Sequence, residues 1–215
     1  MNIEKKITQI WVGPKPAPLK WMNTWKEKHP DWEYEIFDDK MLHGRSWKNQ
    51  LLIDRYYEWG KYQGVSDLIR YELLYERGGF WPEADMVCLE NTEELFTSPP
   101  DYAYTCYENE KYRGKNVQPI MACNPGNEFL ELIIDELSKI GPASLHREPF
   151  RSTGNAFLAR MIGKTDKLTV WPSHYFIPQF YLGETSRYNG PDKVYADHYW
   201  GSTGHKWTRN YKEGV

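Results

Sequence analysis

The 215-residue sequence is poor in cysteine, with only three widely spaced residues, Cys88, Cys106 and Cys123. No two of them form a CxxC motif of the kind that binds zinc or carries out redox chemistry. An odd number of scattered thiols is typical of a reduced intracellular protein, so we expect free thiols and a cytoplasmic location. The cysteine content therefore excludes a disulfide-stapled secreted domain.

Long hydrophobic runs and strong net charge are also missing. No apolar stretch approaches the ~20 residues that cross a bilayer, and the polar residues 1–6 lack the apolar core of a signal peptide. The formal net charge is -3, which gives no electrostatic basis for binding nucleic acid. We expect no transmembrane segment, no nucleic-acid partner, and one domain spanning residues 1–215.

Several common catalytic signatures are absent, including a Walker loop, the Rossmann glycine pattern, a Ser-His-Asp spacing and a zinc pattern. Aromatic residues are abundant instead, with ten Trp, sixteen Tyr and eight Phe. Rings fill protein cores, but they also stack on sugars and nucleobases. Composition alone leaves both roles open.

The most informative stretch is Ser66–Glu90, with the sequence SDLIRYELLYERGGFWPEADMVCLE. Its apolar residues recur at helical spacing, which predicts a helix with Ser66 as the N-cap and a stop at the glycine pair 78–79. Asp67 and Arg70 are three residues apart and lie off the apolar stripe, so they share another face of this helix.

An acidic pair, Glu83 and Asp85, follows the glycines and leads into the apolar run Met86–Leu89. Residues two apart in an extended chain point to the same side, so the two carboxylates converge. Paired oxygen ligands suit a hard cation such as Mg²⁺ or Mn²⁺. An isolated acidic pair is more often a solvated surface feature, and the flanking helix and strand are what favour a metal site here.

The beginning of the chain predicts a β-α-β unit, formed by strand Ile7–Val12, helix Leu19–Lys28 and strand Trp32–Phe37. Such a unit favours parallel pairing in an open α/β sheet, where ligands bind beyond the carboxyl ends of the strands. Trp11 and the acidic pair 38–39 fall at such ends.

The remaining elements follow from the same periodicities. We predict helices over Ser46–Trp59 and Phe129–Ile140, a helix capped by Ser152 or Thr153 that ends at Ile162, strands over Tyr102–Tyr107, Val117–Ala122 and Leu168–Trp171, and a loop over Glu108–Lys115.

The central stretch resembles the DXD-containing glycosyltransferases of family 32, a group similar to initiating mannosyltransferases. That family reads S-D-x-x-R-Y-x-x-L-Y-x-x-G-G-x-Y-x-D-x-D. The matching residues are Ser66, Asp67, Arg70, Tyr71, Leu74, Tyr75, Gly78, Gly79 and Asp85. Glu83 replaces the first aspartate of the DXD motif, and Pro82 precedes it.

The resemblance extends to both ends of the chain. TQIWVG resembles the family opening H-Q-I-W-x-G, which implies that Trp11 stacks on the donor nucleobase. The family's T-G-P segment matches at Gly154, and Asn155 replaces its proline as a candidate contact to the donor sugar. The family ending Y-A-x-H-H-x-x-x-S-W matches at His198, which implies a metal ligand or a pyrophosphate contact, and Trp207 is the counterpart of its closing tryptophan.

The resemblance implies a GT-A fold, a single α/β domain with a mostly parallel open sheet flanked by helices. It also implies metal-dependent transfer of a sugar from a UDP- or GDP-sugar to a hydroxyl of a glycan or other acceptor, with retention of configuration. Asp85 and His198 would hold Mn²⁺ or Mg²⁺, with Glu83 near the cation or on the ribose. Arg70 would supply a fixed positive charge, and Asp67 would orient the donor by accepting from its hydroxyls.

Several alternatives stay open at this point. An inverting enzyme would need a general base, for which Asp38, Asp39 and Asp197 are candidates. The same site could serve a nucleotide-sugar hydrolase, or the chain could be a non-catalytic carbohydrate-binding protein. Residues 196–215 are poor in aliphatic side chains and are expected to form a closing tail over the site.

Overall fold

The computed structural model describes residues 2–181, 187–200 and 214–215. Its strands are β1 (Lys6–Ile10), β2 (Glu33–Phe37), β3 (Gly79–Trp81), β4 (Met86–Cys88), β5 (Ala103–Tyr107), β6 (Val117–Cys123), β7 (Leu168–Trp171) and β8 (Ala196–His198). Its α-helices are α1 (Leu19–Lys28), α2 (Asp39–His43), α3 (Gln50–Glu58), α4 (Tyr62–Arg77), α5 (Glu110–Arg113), α6 (Glu128–Ser138), α7 (Pro149–Ser152) and α8 (Asn155–Met161).

A six-stranded sheet in the order β2-β1-β3-β6-β5-β7 forms the centre, and β4 pairs with β8 in a separate two-stranded sheet. β1 runs parallel to β2 and β3, and β5 runs parallel to β7. Only β6 is reversed, because it is antiparallel to both of its neighbours, β3 and β5. The expected mostly parallel α/β sheet is therefore confirmed, and the carboxyl ends of five strands share one edge.

Apolar side chains cover both faces of this sheet. Along β3, Phe80 packs into one buried cluster with Trp25, while the next residue, Trp81, packs into a second cluster with the apolar stripe of α4. Every residue of β6 is buried, which places it at the centre of the core. Burying each large apolar side chain contributes roughly 1.5–3 kcal/mol, so these two layers hold the helices on the sheet.

The glycine pair after α4 works as the sequence predicts. Gly78 and Gly79 have φ values of +63° and +87°, a region that residues with a side chain rarely adopt. A Cβ on Gly79 would lie 2.7 Å from the backbone oxygen of Lys6. The pair therefore ends the helix and lets β3 approach β1 closely.

The start of α4 differs from the prediction. The helix begins at Tyr62, so Ser66 lies inside it and is not the N-cap. Gly64 explains the extension, because a Cβ there would lie 2.4 Å from a ring carbon of Tyr56 on α3. Close packing of the two helices stabilises an additional turn at the start of α4. Local capping preferences do not predict this turn.

Other boundaries also differ, including the ends of β1 at Ile10 and of α6 at Ser138, each two residues before the predicted end. Helix α3 starts at Gln50 and not at Ser46, because the Glu72 carboxylate on α4 accepts from the N–H groups of Lys48 (2.8 Å) and Asn49 (2.9 Å). The predicted loop after β5 contains the short helix α5. Gly154, and neither Ser152 nor Thr153, is the N-cap of α8.

The three cysteines are free and buried, as the sequence predicts. Among the helices that the structure describes, none combines the length and apolar character that crossing a bilayer requires.

His29 joins the end of α1 to the segment that follows β4. Its Nδ1 lies 2.9 Å from the Trp25 carbonyl, and its Nε2 accepts from the Thr92 N–H at 3.0 Å. This pair of contacts fixes the neutral ring with its proton on Nδ1. Removal from water on burial lowers the pKa of His29 below its ordinary value.

Replacing His29 with glutamine should lower the free energy of unfolding by about 1–3 kcal/mol at neutral pH, because a buried hydrogen-bond acceptor is lost. The folded pKa is below 6.5, so as pH falls the unfolded chain takes up the proton first. The stabilisation that neutral His29 provides is therefore complete above pH 6.5, the ordinary pKa of histidine, and is lost as the pH falls below it. Urea unfolding should show a smaller difference in the free energy of unfolding between wild type and His29→Gln at about pH 5.5 than at about pH 7.5.

The control is His146→Gln, which removes an exposed imidazole and should change the free energy of unfolding little. A difference between wild type and His29→Gln that is the same at both pH values would contradict the assigned protonation state.

Candidate metal centre and adjoining pocket

A pocket of about 300 Å³ lies at the carboxyl ends of β1 and β3, against the first half of α4. Five of the residues that the sequence singles out line it, namely Trp11, Asp67, Arg70, Glu83 and Asp85. Open α/β sheets bind ligands at this edge. The structure therefore places the predicted acidic, basic and aromatic groups around one cavity.

Buried partners fix the backbone of the acidic loop. Gln9 on β1 is fully buried, and its Nε2 donates to the Glu83 carbonyl at 2.9 Å. Its Oε1 accepts from the Tyr34 hydroxyl at 2.7 Å. On the other side, Tyr199 N–H donates to the Asp85 carbonyl at 2.8 Å. The loop is thus held from β1 and from the segment after β8.

The carboxylates of this loop meet an imidazole from β8. Pairing of β4 with β8 sets Met86 opposite His198, and one ligand atom from each of Glu83, Asp85 and His198 lies within 4.8 Å of the others. We call these three residues the metal triad. Nε2 of His198 is 3.3 Å from Oδ1 of Asp85.

Two atoms of the metal triad are buried without a hydrogen-bond partner, Oε1 of Glu83 and Nε2 of His198. Such atoms are uncommon in folded proteins because each costs free energy. Nδ1 of His198 accepts a long hydrogen bond of 3.3 Å from the Trp200 N–H, so the neutral ring carries its proton on Nε2. A divalent cation would take the place of that proton on Nε2, as metal binding to histidine requires, and would share Oε1 of Glu83 with the Arg70 ion pair. The donor set therefore fits Mn²⁺ or Mg²⁺.

Arg70 lies beside the metal triad and is almost completely buried. Its Nη1 donates to the Pro119 carbonyl at 2.5 Å and lies 2.6 Å from Oε1 of Glu83, close enough for an ion pair but not aligned for a hydrogen bond. Its Nε has no hydrogen-bond partner. The guanidinium therefore has an unused donor in a residue that lines the pocket.

Asp67 lies one helical turn before Arg70. Burial raises the pKa of Asp67 to about 7, with the Arg70 charge opposing that shift. Thr153 Oγ1 donates to Oδ2 of Asp67 at 3.0 Å, and a Cβ on Gly154 would approach the same oxygen to 3.0 Å. Because the Thr153 hydroxyl donates to Asp67, it does not cap α8.

Trp11 and Asn155 differ in their surroundings. Trp11 forms part of the pocket wall, and its Nε1 donates to the Lys15 carbonyl at 2.7 Å. Asn155 is not among the residues that line the pocket, and its Nδ2 donates to Oε1 of Gln118 at 2.7 Å. The predicted contacts of both with a donor stay predictions.

Sequence reasoning gave Glu108 no role, because it opens a charged segment that is typical of a loop. It is buried at the carboxyl end of β5, and burial raises its pKa, opposed by Arg113, Asn155, Asn116 and His198. Its position directly after an apolar strand was the signal that could have found it. Gln9 was also missed, because it lies within the first strand, beside Thr8, where no local pattern sets it apart.

The three aspartates considered as a general base all have structural partners. Asp38 accepts from the Met41 N–H at 3.1 Å, and Asp39 accepts from the Gly13 N–H at 2.9 Å. Asp197 lies 2.5 Å from Nη1 of Arg187.

The predicted closing tail is described only in part. Ala196–His198 forms β8, while residues 201–213, including Trp207, lie outside the described residues. Its closing role stays a prediction.

The chain is similar to known glycosyltransferases. Residues 18–101 match the family described as "Glycosyltransferase sugar-binding region containing DXD motif". The chain is 26% identical over 212 residues to inositol phosphoceramide mannosyltransferase 1 of Schizosaccharomyces pombe. That match covers 91% of this chain but only 60% of the relative.

Solved structures share the fold at low sequence identity. The PaToxG glycosyltransferase superposes with a TM-score of 0.62 at 16% identity, covering 75% of this chain and 69% of that one. The UDP-bound glycosyltransferase domain from the YGT toxin gives a TM-score of 0.53 at 10% identity, covering 78% and 79%. The expected GT-A fold and the expected resemblance to DXD-containing glycosyltransferases are confirmed.

Replacing Asp85 with asparagine should abolish most of the Mn²⁺-dependent rise in melting temperature, because the cation loses an anionic ligand. A ligand that binds only the folded state raises the melting temperature by mass action, so wild type should show the rise. Glu90→Gln removes an exposed carboxylate from the same segment and should behave as wild type. An equal rise in Asp85→Asn would exclude Asp85 as a ligand.

Proposed function

We propose that this chain, a glycosyltransferase similar to the DXD-containing enzymes, transfers a sugar from a nucleoside-diphosphate donor to an acceptor hydroxyl. A divalent cation held by Glu83, Asp85 and His198 would bind the diphosphate, and the nucleobase would lie against Trp11. The proposal rests on the metal triad, in which Oε1 of Glu83 and Nε2 of His198 are buried without a hydrogen bond, next to a pocket lined by Asp67 and Arg70.

The charges of the pocket support metal dependence. Asp67, Glu83 and Asp85 contribute three carboxyl groups to its lining, against two cations, the buried Arg70 and the exposed Lys15. Without a divalent cation, the carboxylates of Glu83 and Asp85 would repel a diphosphate placed beside them, most strongly where water is excluded. A bound divalent cation reverses the local charge. Because an imidazole is part of the donor set, Mn²⁺ fits it better than Mg²⁺, which prefers oxygen ligands.

The bound cation would act as a Lewis acid that stabilises negative charge on the leaving diphosphate. Arg70 adds a fixed positive charge at the same place, and its unpartnered Nε can donate to a donor oxygen. Asp67, oriented by Thr153, can accept hydrogen bonds from sugar hydroxyls and hold the donor in position.

In the transfer step, the acceptor oxygen forms a bond to the anomeric carbon while the bond from that carbon to the diphosphate oxygen breaks. The electron pair of the broken bond stays on the diphosphate, and the acceptor proton passes to that oxygen. We propose retention of configuration, for which this route needs no separate base. None of Asp38, Asp39 and Asp197 is among the residues that line the pocket, which supports a route without these three as the base.

The relatives do not identify the donor, since this chain spans only 60% of the curated mannosyltransferase. A binding screen is needed to identify it. UDP occupies the structure of the YGT toxin domain, so UDP-sugars are the first probes, followed by GDP- and dTDP-sugars.

We expect at least one of these nucleotide sugars to raise the melting temperature in Mn²⁺ and not in EDTA. Incubation of that donor with acceptor sugars should then yield a glycoside whose anomeric configuration, read by NMR, matches that of the donor. Release of free sugar at the same rate with and without acceptors would instead show a hydrolase. No metal-dependent binding of any donor would refute the proposal.

Trp11→Ala should weaken binding of the preferred nucleoside diphosphate in Mn²⁺ by about 1–3 kcal/mol, the range for stacking of a base on an aromatic ring. Trp11→Phe keeps a flat ring and should lose less. Isothermal titration calorimetry measures both. If Trp11→Ala lowers the melting temperature but leaves nucleotide affinity unchanged, Trp11 supports the fold and does not contact the base.

A further inference from the structure

Basic and aromatic residues meet on the surface that α3 forms with the segment before α8. Leu51 and Arg55 on α3 and Trp59 at its end are spaced four residues apart, so they share one stripe of the helix. The Arg55 guanidinium lies 5.7 Å from the Trp59 ring centre, and the Arg147 guanidinium lies 5.6 Å from the same ring. The stripe on α3 is therefore continuous with the segment that contains Arg147.

Phe150 extends this surface, since it lies three residues after Arg147 at the start of α7. The Arg151 guanidinium lies 5.4 Å from the Phe150 ring centre. Arg160 lies beside Arg151, to whose carbonyl its Nη2 donates at 3.1 Å. We call the following six residues the basic-aromatic patch: Leu51, Arg55, Trp59, Arg147, Phe150 and Arg151.

The patch concentrates exposed apolar side chains. Five large apolar residues are exposed in the described part of the chain, and the patch contains two of them, Leu51 (69% exposed) and Phe150 (47% exposed). Single exposed apolar residues are ordinary on protein surfaces. Grouped with aromatic rings and cations, they mark a surface that binds a partner.

The patch also carries positive charge that no carboxylate offsets. Two neighbouring acidic residues are already paired, Glu58 with Arg55 at 3.3 Å and Glu148 with Lys61 at 3.3 Å. Across residues 2–181, 187–200 and 214–215, three arginines of this surface make no ion pair: Arg147, Arg151 and Arg160. The local charge is thus opposite in sign to the net charge of the whole chain, which is -3.

Residues next to the patch line the first pocket. Gly60, which follows Trp59, is part of the pocket wall. A Cβ on Gly154 would lie 3.0 Å from Oδ2 of Asp67, which lines the pocket, and 3.1 Å from Cα of Phe150. The patch therefore borders the pocket, although none of its own six residues lines it.

We propose that the basic-aromatic patch docks this chain on a membrane surface rich in anionic phospholipids. The arginines would lie among the lipid phosphates, while Phe150, Trp59 and Leu51 would enter the boundary between headgroups and acyl chains. Each basic residue near an anionic surface strengthens binding about fivefold. Docking by this face would hold the first pocket beside the lipid, and it does not depend on the proposed glycosyl transfer.

Co-sedimentation of the full chain with vesicles tests the proposal. One set of vesicles is pure phosphatidylcholine, and the other contains about 30% phosphatidylserine. We expect binding to the anionic vesicles only. Raising NaCl from about 0.1 M to about 0.5 M should release the chain, because salt screens exposed charges. Equal binding to both kinds of vesicle, or binding to neither, would overturn the proposal.

Substitutions then locate the binding surface. The double variant Arg147→Gln/Arg151→Gln removes two charges that have no ion-pair partner and should weaken binding to the anionic vesicles about 25-fold. Phe150→Ala removes a ring from the lipid boundary and should weaken binding at least about fivefold. Binding by both variants at the strength of wild type would overturn the assignment to this face.

Two matched controls lie outside the patch. Lys26→Gln removes an exposed charge from α1, which packs on the other face of the sheet. Tyr112→Ala truncates an aromatic residue on α5 that has the same exposed fraction as Phe150, 47%. Both should bind the anionic vesicles as wild type does. A loss of binding in either control as large as in the patch variants would contradict the proposal.

A fluorescent label gives a second readout of the same contact. The three native cysteines are buried, so an introduced surface cysteine can be labelled selectively. An environment-sensitive fluorophore on Leu51→Cys or Phe150→Cys should shift its emission to the blue with anionic vesicles, and the same label on Tyr112→Cys should not. A shift that is equal at all three positions would exclude docking by one face.

The rise in melting temperature caused by Mn²⁺ alone separates this test from that of the proposed function. It measures the metal triad and should be the same in wild type and in Arg147→Gln/Arg151→Gln, while vesicle binding is lost. Loss of both in the double variant would contradict the proposal, because the substitutions would then act on the pocket. If wild type shows no Mn²⁺ effect, the metal site fails and vesicle binding still decides the patch.

Discussion

The buried charge of Arg70 is the constraint on which the rest of the site depends. A guanidinium removed from water is tolerated only with close partners, and removing one partner of a buried pair typically costs about 3–5 kcal/mol. Here the partners come from two directions, the Pro119 carbonyl on β6 and Glu83 on the acidic loop. Helix α4, the reversed strand β6 and the acidic loop must therefore be in place together for the site to form.

The replacement of the usual aspartate by Glu83 has a physical role in this arrangement. The longer side chain allows one oxygen to approach Arg70 while the residue remains within reach of Asp85 and His198. Gln9 and Tyr199 fix the loop backbone. The loop thus combines a buried ion pair with a metal triad.

Much of the fold follows from local patterns in the sequence. The alternation of strands and helices, the glycine break after α4 and the parallel β1–β2 pair are expected from periodicity and turn chemistry. The boundaries that differ do so because a distant residue changes the local outcome. Glu72 caps α3 from another helix, Gly64 lets α4 extend over Tyr56, and the Thr153 hydroxyl is used on Asp67.

The sequence by itself determined the α/β class, the resemblance to DXD-containing glycosyltransferases and the proximity of Glu83 to Asp85, because these depend on neighbours within a few residues. Only the tertiary structure decided that His198 joins them, through the pairing of β4 with β8. It also decided that Glu108, at the end of β5, is buried close enough to His198 for their charges to interact. The physical reason is that charge compensation and ring packing depend on the atoms that surround a side chain in space, and strand pairing brings together residues that no local pattern relates.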